Sequence, residues 1–278
     1  MTLTPEQLDR YARDGFLVVE GFAPAEACDR LRERMAELLD AFDPAGLATV
    51  FDTKDQRHAQ DAYFLESGDE VRFFLEPGAT DGEGRLRQAK ALSVNKVGHA
   101  LHDLDPVFDA FSRRLEVEGA ARDLGLAEPL LLQSMYIFKQ PRIGGEVVCH
   151  QDGTFLHTEP ESVVGLWFAL EDATEENGCL WAEPGGHRRP LRARFVREGA
   201  GTRMVDLAPE PLPTEGLVPL AAPKGTLVVL HGRLPHLSGP NTSDRSRHAY
   251  ALHLVDGAAR YSPDNWLRRR ESMPLRGF

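Results

Sequence analysis

Cysteine is scarce in this chain, with only Cys28, Cys149 and Cys179 among 278 residues. No two of them form a C-x-x-C pair. That excludes a disulfide framework and a thiolate zinc site, and leaves buried, reduced thiols of a cytoplasmic protein. Basic residues are also in deficit: 32 Lys and Arg against 43 Asp and Glu give a net charge of -11. Such a field repels polyanions, so nucleic acid and anionic membrane surfaces are excluded as expected partners. A small anion then needs a local cluster of Arg or Lys. Long apolar runs are missing too, where a membrane span needs about 18 to 20 residues. The first residues, MTLTPEQLDRYARDG, carry charges throughout and do not read as a signal peptide. Neither a Pro/Gly/Ser linker nor an internal repeat interrupts the chain.

What is present is an ordinary globular composition, 42% hydrophobic and 27% charged, enough to bury a large core. The start is helical. Thr4 and Gln7 form a capping-box pattern, Pro5 takes the first helical position, and Gly15 stops the helix. FLVVEGF reads as a strand, and PAEACDRLRERMAELLDAF as an amphipathic helix with Cys28, Leu31, Met35 and Leu38 on one stripe. The polar stretch from Asp52 to Asp69 reads as a loop. After a strand at VRFFL and a turn at PGATDGEG, residues Val97, Leu101, Leu104 and Phe108 keep a helical period. From residue 130 the texture changes to short β-rich runs separated by Gly, Pro, Asn and Asp, the pattern of a sandwich or barrel. One domain over 1–278 is expected: a helix-rich buttress with early strands (1–125) and a β core (126–278). A Pro/Gly-rich, lid-like insertion is expected near 188–217.

Within VVCHQDGTF, His150 and Asp152 are two residues apart. On a strand they share a face about 6.6 Å apart. Each can give one bond to a divalent metal. A third ligand has to come from LVVLHGRLPHLSGPNTSDRSRHAYALHLV, where spacing leaves His231 and His236 equal. Two histidines and one carboxylate suit non-haem Fe(II) and leave positions open for a chelating cosubstrate and dioxygen. If the following strand alternates, Arg247, Ala249, Ala251 and His253 share a face, an arginine with small neighbours that can grip a small carboxylate. Arg245 is its nearest rival. His157 and His253 fall near the site by parity and read as neighbours or core. Glu171, Asp172, Glu175 and Glu176 read as a solvated face. Pro184-Gly185-Gly186 reads as a turn, since no Lys-Ser/Thr follows to make a phosphate loop. A cupin-like zinc or manganese isomerase or hydrolase is the rival reading of the same residues.

The stretches NKVGHALHDLDPVF, QSMYIFKQP, GGEVVCHQDGTFLHTEP, EDATEENGCLWAEPGGH, HLSGPNTSDRSRHAY and SPDNWL, in that order, resemble the phytanoyl-CoA dioxygenase family of Fe(II)- and 2-oxoglutarate-dependent oxygenases. The resemblance runs from about residue 60 to residue 270. It implies a mainly β fold with flanking helices: a double-stranded β-helix, the cupin-like jelly roll, buttressed by N-terminal helices. It implies His150, Asp152 and His236 as iron ligands. It places Arg247 on the distal carboxylate of 2-oxoglutarate, and Lys96, Met135, Gln151 and Trp167 around the cosubstrate. The implied reaction is hydroxylation, or demethylation by hydroxylation, of a small organic substrate with release of succinate and carbon dioxide. The implied cofactors are Fe(II), 2-oxoglutarate and O2. Separately, a cytoplasmic monomer or weak homo-oligomer is expected. Asp152 fills the position that related halogenases leave for chloride. The segment between Trp181 and Leu217 does not clearly match, so the substrate stays open.

Overall fold

Thr4 starts the first helix by a reciprocal cap. Its hydroxyl accepts from the Gln7 amide, the Gln7 side chain accepts from the Thr4 amide, and Pro5 opens α1 (Pro5–Asp14). Gly15 ends α1 at φ 80, and a Cβ at that residue would strike the His187 ring. After β1 (Phe16–Val19), α2 (Ala25–Ala41) buries Cys28, Leu31 and Met35. Leu39 completes the stripe where Leu38 was expected, and Leu38 is half-buried. The computed structural model describes residues 1–44, 49–53, 61–81 and 83–278. Part of the loop expected over 52–69, and residue 82 of the expected turn, lie outside the described residues.

α3 (Ala62–Leu65), β2 (Val71–Leu75) and β3 (Val94–His99) come next, followed by α4 (Leu101–Leu104), α5 (Pro106–Ser112) and α6 (Leu115–Asp123). The rest is largely strand: β4 (Pro129–Ile137), β5 (Val147–His150), β6 (Thr158–Glu159), β7 (Val164–Ala169), β8 (Leu180–Ala182) and β9 (Ala193–Glu198). Beyond these come β10 (Gly201–Asp206), β11 (Val218–Leu220), β12 (Leu227–His231), β13 (His236–Ser238), β14 (Ala249–Asp256) and β15 (Arg260–Tyr261). Seven strands form an antiparallel sheet in the order β1-β12-β7-β14-β4-β3-β2, and four form a smaller one, β11-β8-β13-β5. Both sheets contribute walls to one cavity. This is the helix-buttressed jelly roll that the sequence led us to expect.

Alternation divides the large sheet into two faces. Val164, Leu166, Phe168, Tyr250, Leu252, Leu227 and Val229 pack with Cys28, Leu31 and Met35 of α2 and with Phe108 and Phe111 of α5. Trp167, Ala169, Ala249, Ala251, Val228 and Leu230 pack on the other face with Leu180 and Ala182 of the small sheet. Two expectations change. Residues 94–99, expected to begin a helix, are β3, because Lys96 pairs with Phe74 on one side and Ile137 on the other. Sheet pairing overrides the local helical period, and Leu104, from that expected stripe, is exposed. Residues 193–206 form a paired β9–β10 hairpin within the expected insertion. Arg197 ties the hairpin to the backbone of Asp264 and Trp266. No helix among the described residues is long and apolar enough to cross a membrane.

Asp103 ties α4 to the C-terminal residues. Its carboxylate is buried and meets Arg113 at 2.7 Å, Arg276 at 2.8 Å, His102 at 3.2 Å and also Arg269. Burial pushes this carboxyl up, but His102, Arg269 and Arg276 more than offset it and hold it below the ordinary carboxylate range. A lowered folded-state value means that the stabilisation is complete above about pH 4 and is lost as pH falls below it. Asp103→Asn leaves Arg269 buried without its anion. It is expected to cost about 3 to 5 kcal/mol in urea unfolding at pH 7, with a smaller loss near pH 3; an equal loss at both pH values would contradict the assignment.

Candidate metal centre and cosubstrate cavity

His150 is the last residue of β5 and His236 the first of β13, and the two are paired directly across the sheet. Their rings stand 4.2 Å apart. Asp152 begins the 3-10 turn Asp152–Thr154, and its Oδ1 lies 3.6 Å from His150 Nε2 and 3.8 Å from His236 Nε2. His150 Nδ1 bonds to the Val148 carbonyl at 2.9 Å, and His236 Nδ1 to the Leu234 carbonyl at 3.0 Å. Each Nδ1 is therefore the protonated donor and each Nε2 is a free lone pair facing the carboxylate. One ligand atom from each residue falls within 4.8 Å of the others. Burial, and then His150, push His236 down to about 4, so it is neutral. Burial raises the Asp152 carboxyl, but the facing His253, His236 and His150 outweigh it and keep it ionised. A buried carboxylate and two imidazoles that turn Nε2 toward it are the donor set of a divalent metal with open coordination positions.

His253 and Gly165 brace this centre. His253 Nε2 is 3.3 Å from Asp152 Oδ2. Gly165 of β7 pairs with His253 of β14, and a Cβ there would come within 3.0 Å of the same Oδ2. His231, level with His236 on spacing alone, is elsewhere. It ends β12 against the rings of His187 (5.2 Å) and Tyr11 (6.3 Å), and its Nδ1 accepts from the Arg233 amide. The chain turns after β12, and only β13 enters the small sheet opposite His150. His157 lies beside Asn265, outside the cavity.

The cavity, about 200 Å³, holds the three ligands together with Lys96, Met135, Trp167 and Arg247. Arg247 is 1% exposed. Its Nη2 is 3.4 Å from Ser238 Oγ, its guanidinium sits 5.2 Å from the Trp167 ring, and its Nε and Nη1 have no partner. Burial pulls it down to about 10, so it stays charged at neutral pH. Lys96 points its Nζ at the Phe51 ring, 3.3 Å from the centroid, and lies 3.7 Å from Met135 Sδ. Burial holds it far below an ordinary lysine. Among the described residues no carboxylate lies in an ion pair with Arg247 or Lys96.

Three readings change. Gln151 is not in the cavity: its amide donates to the carbonyls of Pro190 and Arg233 and accepts from the Arg192 amide. Residues 150 and 152 face inward, so alternation turns 151 outward. Arg245 is exposed; its carbonyl accepts from Asn241 and Ser243, and its amide donates to the Ser243 hydroxyl. Glu171, expected to be solvated, receives hydrogen bonds from Arg32, Ser246 and the His248 amide. Ser238, Phe51 and Gly165 went unread. Only Gly165 carried a signal, a glycine inside a buried strand run.

The triad, open on one side inside a jelly roll and facing an anion-ready cavity, defines a non-haem iron oxygenase. The chain belongs to the phytanoyl-CoA dioxygenase (PhyH) family, whose model matches residues 11–249. It is 50% identical over 273 residues to phytanoyl-CoA dioxygenase 1 of Oryza sativa subsp. japonica, covering 97% of this chain and 95% of that protein. It is 46% identical over 283 residues to the phytanoyl-CoA dioxygenase domain-containing protein 1 of Bos taurus, covering 98% and 97%. EctD from S. alaskensis, crystallised with bound Fe, shares the fold at a TM-score of 0.68 and 20% identity, covering 99% of this chain and 86% of that one. AviO1 from Streptomyces viridochromogenes does so at 0.65 and 23%, covering 95% and 99%. The protein is a 2-oxoglutarate-dependent non-haem iron dioxygenase.

Gly165→Ala presses a methyl group against Asp152 Oδ2. Metal affinity, followed by Fe(II) titration under nitrogen, is expected to fall about 10- to 100-fold. Unchanged affinity would mean that the carboxylate does not depend on this gap.

Proposed function

We propose that Arg247, Trp167, Met135 and Lys96 hold 2-oxoglutarate in one orientation, and that the enzyme hydroxylates a small organic substrate or demethylates one by hydroxylating a methyl group. The observation that carries this is Arg247, a charged guanidinium with two unpartnered nitrogens in the cavity that holds the triad. A buried cation without an anion is costly, and the carboxylate of a bound dicarboxylate would resolve that cost. Iron with bound 2-oxoglutarate and dioxygen supplies C–H hydroxylation, releasing succinate and carbon dioxide.

The residues do the rest. His150 and His236 keep Nε2 unprotonated through their Nδ1 bonds to backbone carbonyls. Asp152 contributes the anionic ligand. Ser238 positions the guanidinium and Trp167 covers it. Lys96 offers a second donor from an aromatic, water-poor wall. Phe195 of β9 brings the insertion near 188–217 into the cavity wall, which supports a lid-like part for that segment in a single oxygenase domain. Three free cysteines and the net charge of -11 support a cytoplasmic monomer or weak homo-oligomer that works without nucleic acid.

Fe(II) and 2-oxoglutarate added without oxygen are expected to give a metal-to-ligand charge-transfer band that His150→Ala, Asp152→Ala and His236→Ala each abolish. A band surviving all three changes, or tightly held zinc with no succinate release, would sink the reading. Arg247→Gln is expected to weaken 2-oxoglutarate binding about 30-fold or more, from a loss of about 2 to 5 kcal/mol. Iron affinity measured without 2-oxoglutarate should hardly move, and an equal loss of both would make Arg247 a structural residue instead.

A further inference from the structure

Neither the metal nor the cosubstrate assignment uses Gln133. This residue lies on β4, directly opposite His253 of β14. It lines the cavity and is 5% exposed. Its side chain makes no hydrogen bond to any described residue, and its polar atoms face the cavity. A buried amide is ordinarily paired, with protein or water, so this one is free to take a partner inside the cavity.

Its place along the sheet says which molecule. Arg247 and His253 are six residues apart on one run, about 20 Å when extended. Gln133 shares the row of His253, which touches Asp152, so it stands at the metal end, away from the guanidinium. The wall near the metal is aromatic. The Phe155 ring lies 6.0 Å from His150 and 5.5 Å from Phe195, and Trp266 lines the same space. Among the described lining residues the only lysine or arginine side chains are Lys96 and Arg247, both engaged by the cosubstrate assignment.

We propose that the part of the prime substrate entering the cavity is uncharged. A ring-sized apolar body rests on Phe155, Phe195 and Trp266, and a neutral carboxamide-like group pairs with Gln133. Glutamine offers one acceptor and two donors, so an amide can answer it twice, whereas a carboxylate or phosphate can use only its donors and finds no further cation. Gln133 is thereby a specificity-determining residue. The proposal rests on the oxygenase reading above, which places the cosubstrate at Arg247.

Benzamide, benzoate and toluene form a matched series that tests it, with protein loaded anaerobically with Fe(II) and 2-oxoglutarate. Probe binding is read by saturation-transfer NMR and cosubstrate binding by the charge-transfer band. Benzamide is expected to bind at least about tenfold more tightly than benzoate or toluene. Gln133→Leu, or Gln133→Met if the leucine variant does not fold, is expected to erase that preference while toluene binding stays within about twofold. Benzoate binding as well as benzamide, undetectable benzamide binding, or a preference retained in the variants would overturn the proposal. A wild-type protein that binds benzamide preferentially yet shows no band would instead overturn the oxygenase reading alone.

Discussion

A buried, ionised Asp152 organises the active centre. It begins a 3-10 turn in the interior, with His150, His236 and His253 all directed at its two oxygens. Such a charge is affordable only among groups that lend it positive potential or share a cation with it. The surroundings are arranged to that end. Two histidines spend Nδ1 on backbone carbonyls and so aim Nε2 inward, and a glycine on β7 leaves the carboxylate its space.

The sheet extends the same logic outward. Strand alternation gives β14 one face for the helices, through Tyr250, Leu252 and Leu254, and another for the cavity, through Ala251 and His253. Each cavity row crosses neighbouring strands: Met135, Ala251 and Trp167 in one, and Gln133, His253 and Gly165 in the next. Of the helices, α3 brings Phe64 to the cavity wall, while α2 and α5 pack on the far face of the sheet. They make the outer face apolar and fixed, and that keeps the register by which these rows line up.

Much of this was legible from residue order. The capping box, the α2 stripe and the β-rich second half are short-range patterns, and short-range physics decides them. His150 and Asp152 were visible for the same reason, being two residues apart on one run. The choice between His231 and His236 was not, because it depends on where the chain leaves one sheet for the other. Lys96 was misplaced on a helix because a local period mimicked one, while pairing with β2 and β4 lay far away in sequence. Gln151 shows the opposite failure. Its neighbours face the metal, and alternation alone should have turned it away. Family resemblance named the right ligands where spacing could not, since it carries the outcome of long-range packing that one sequence does not display.

The position of β14 at the centre of the large sheet has a consequence for how the molecule is made. It joins β7 to β4, yet it is the last strand of this sheet in chain order among the described residues. Until it arrives, those two partners present unpaired edges, and the floor of the cavity is missing. Sheet closure and assembly of the carboxylate-binding pocket are therefore the same late event. A nascent chain held short of that point exposes open strand edges of the kind that recruit chaperones or aggregate.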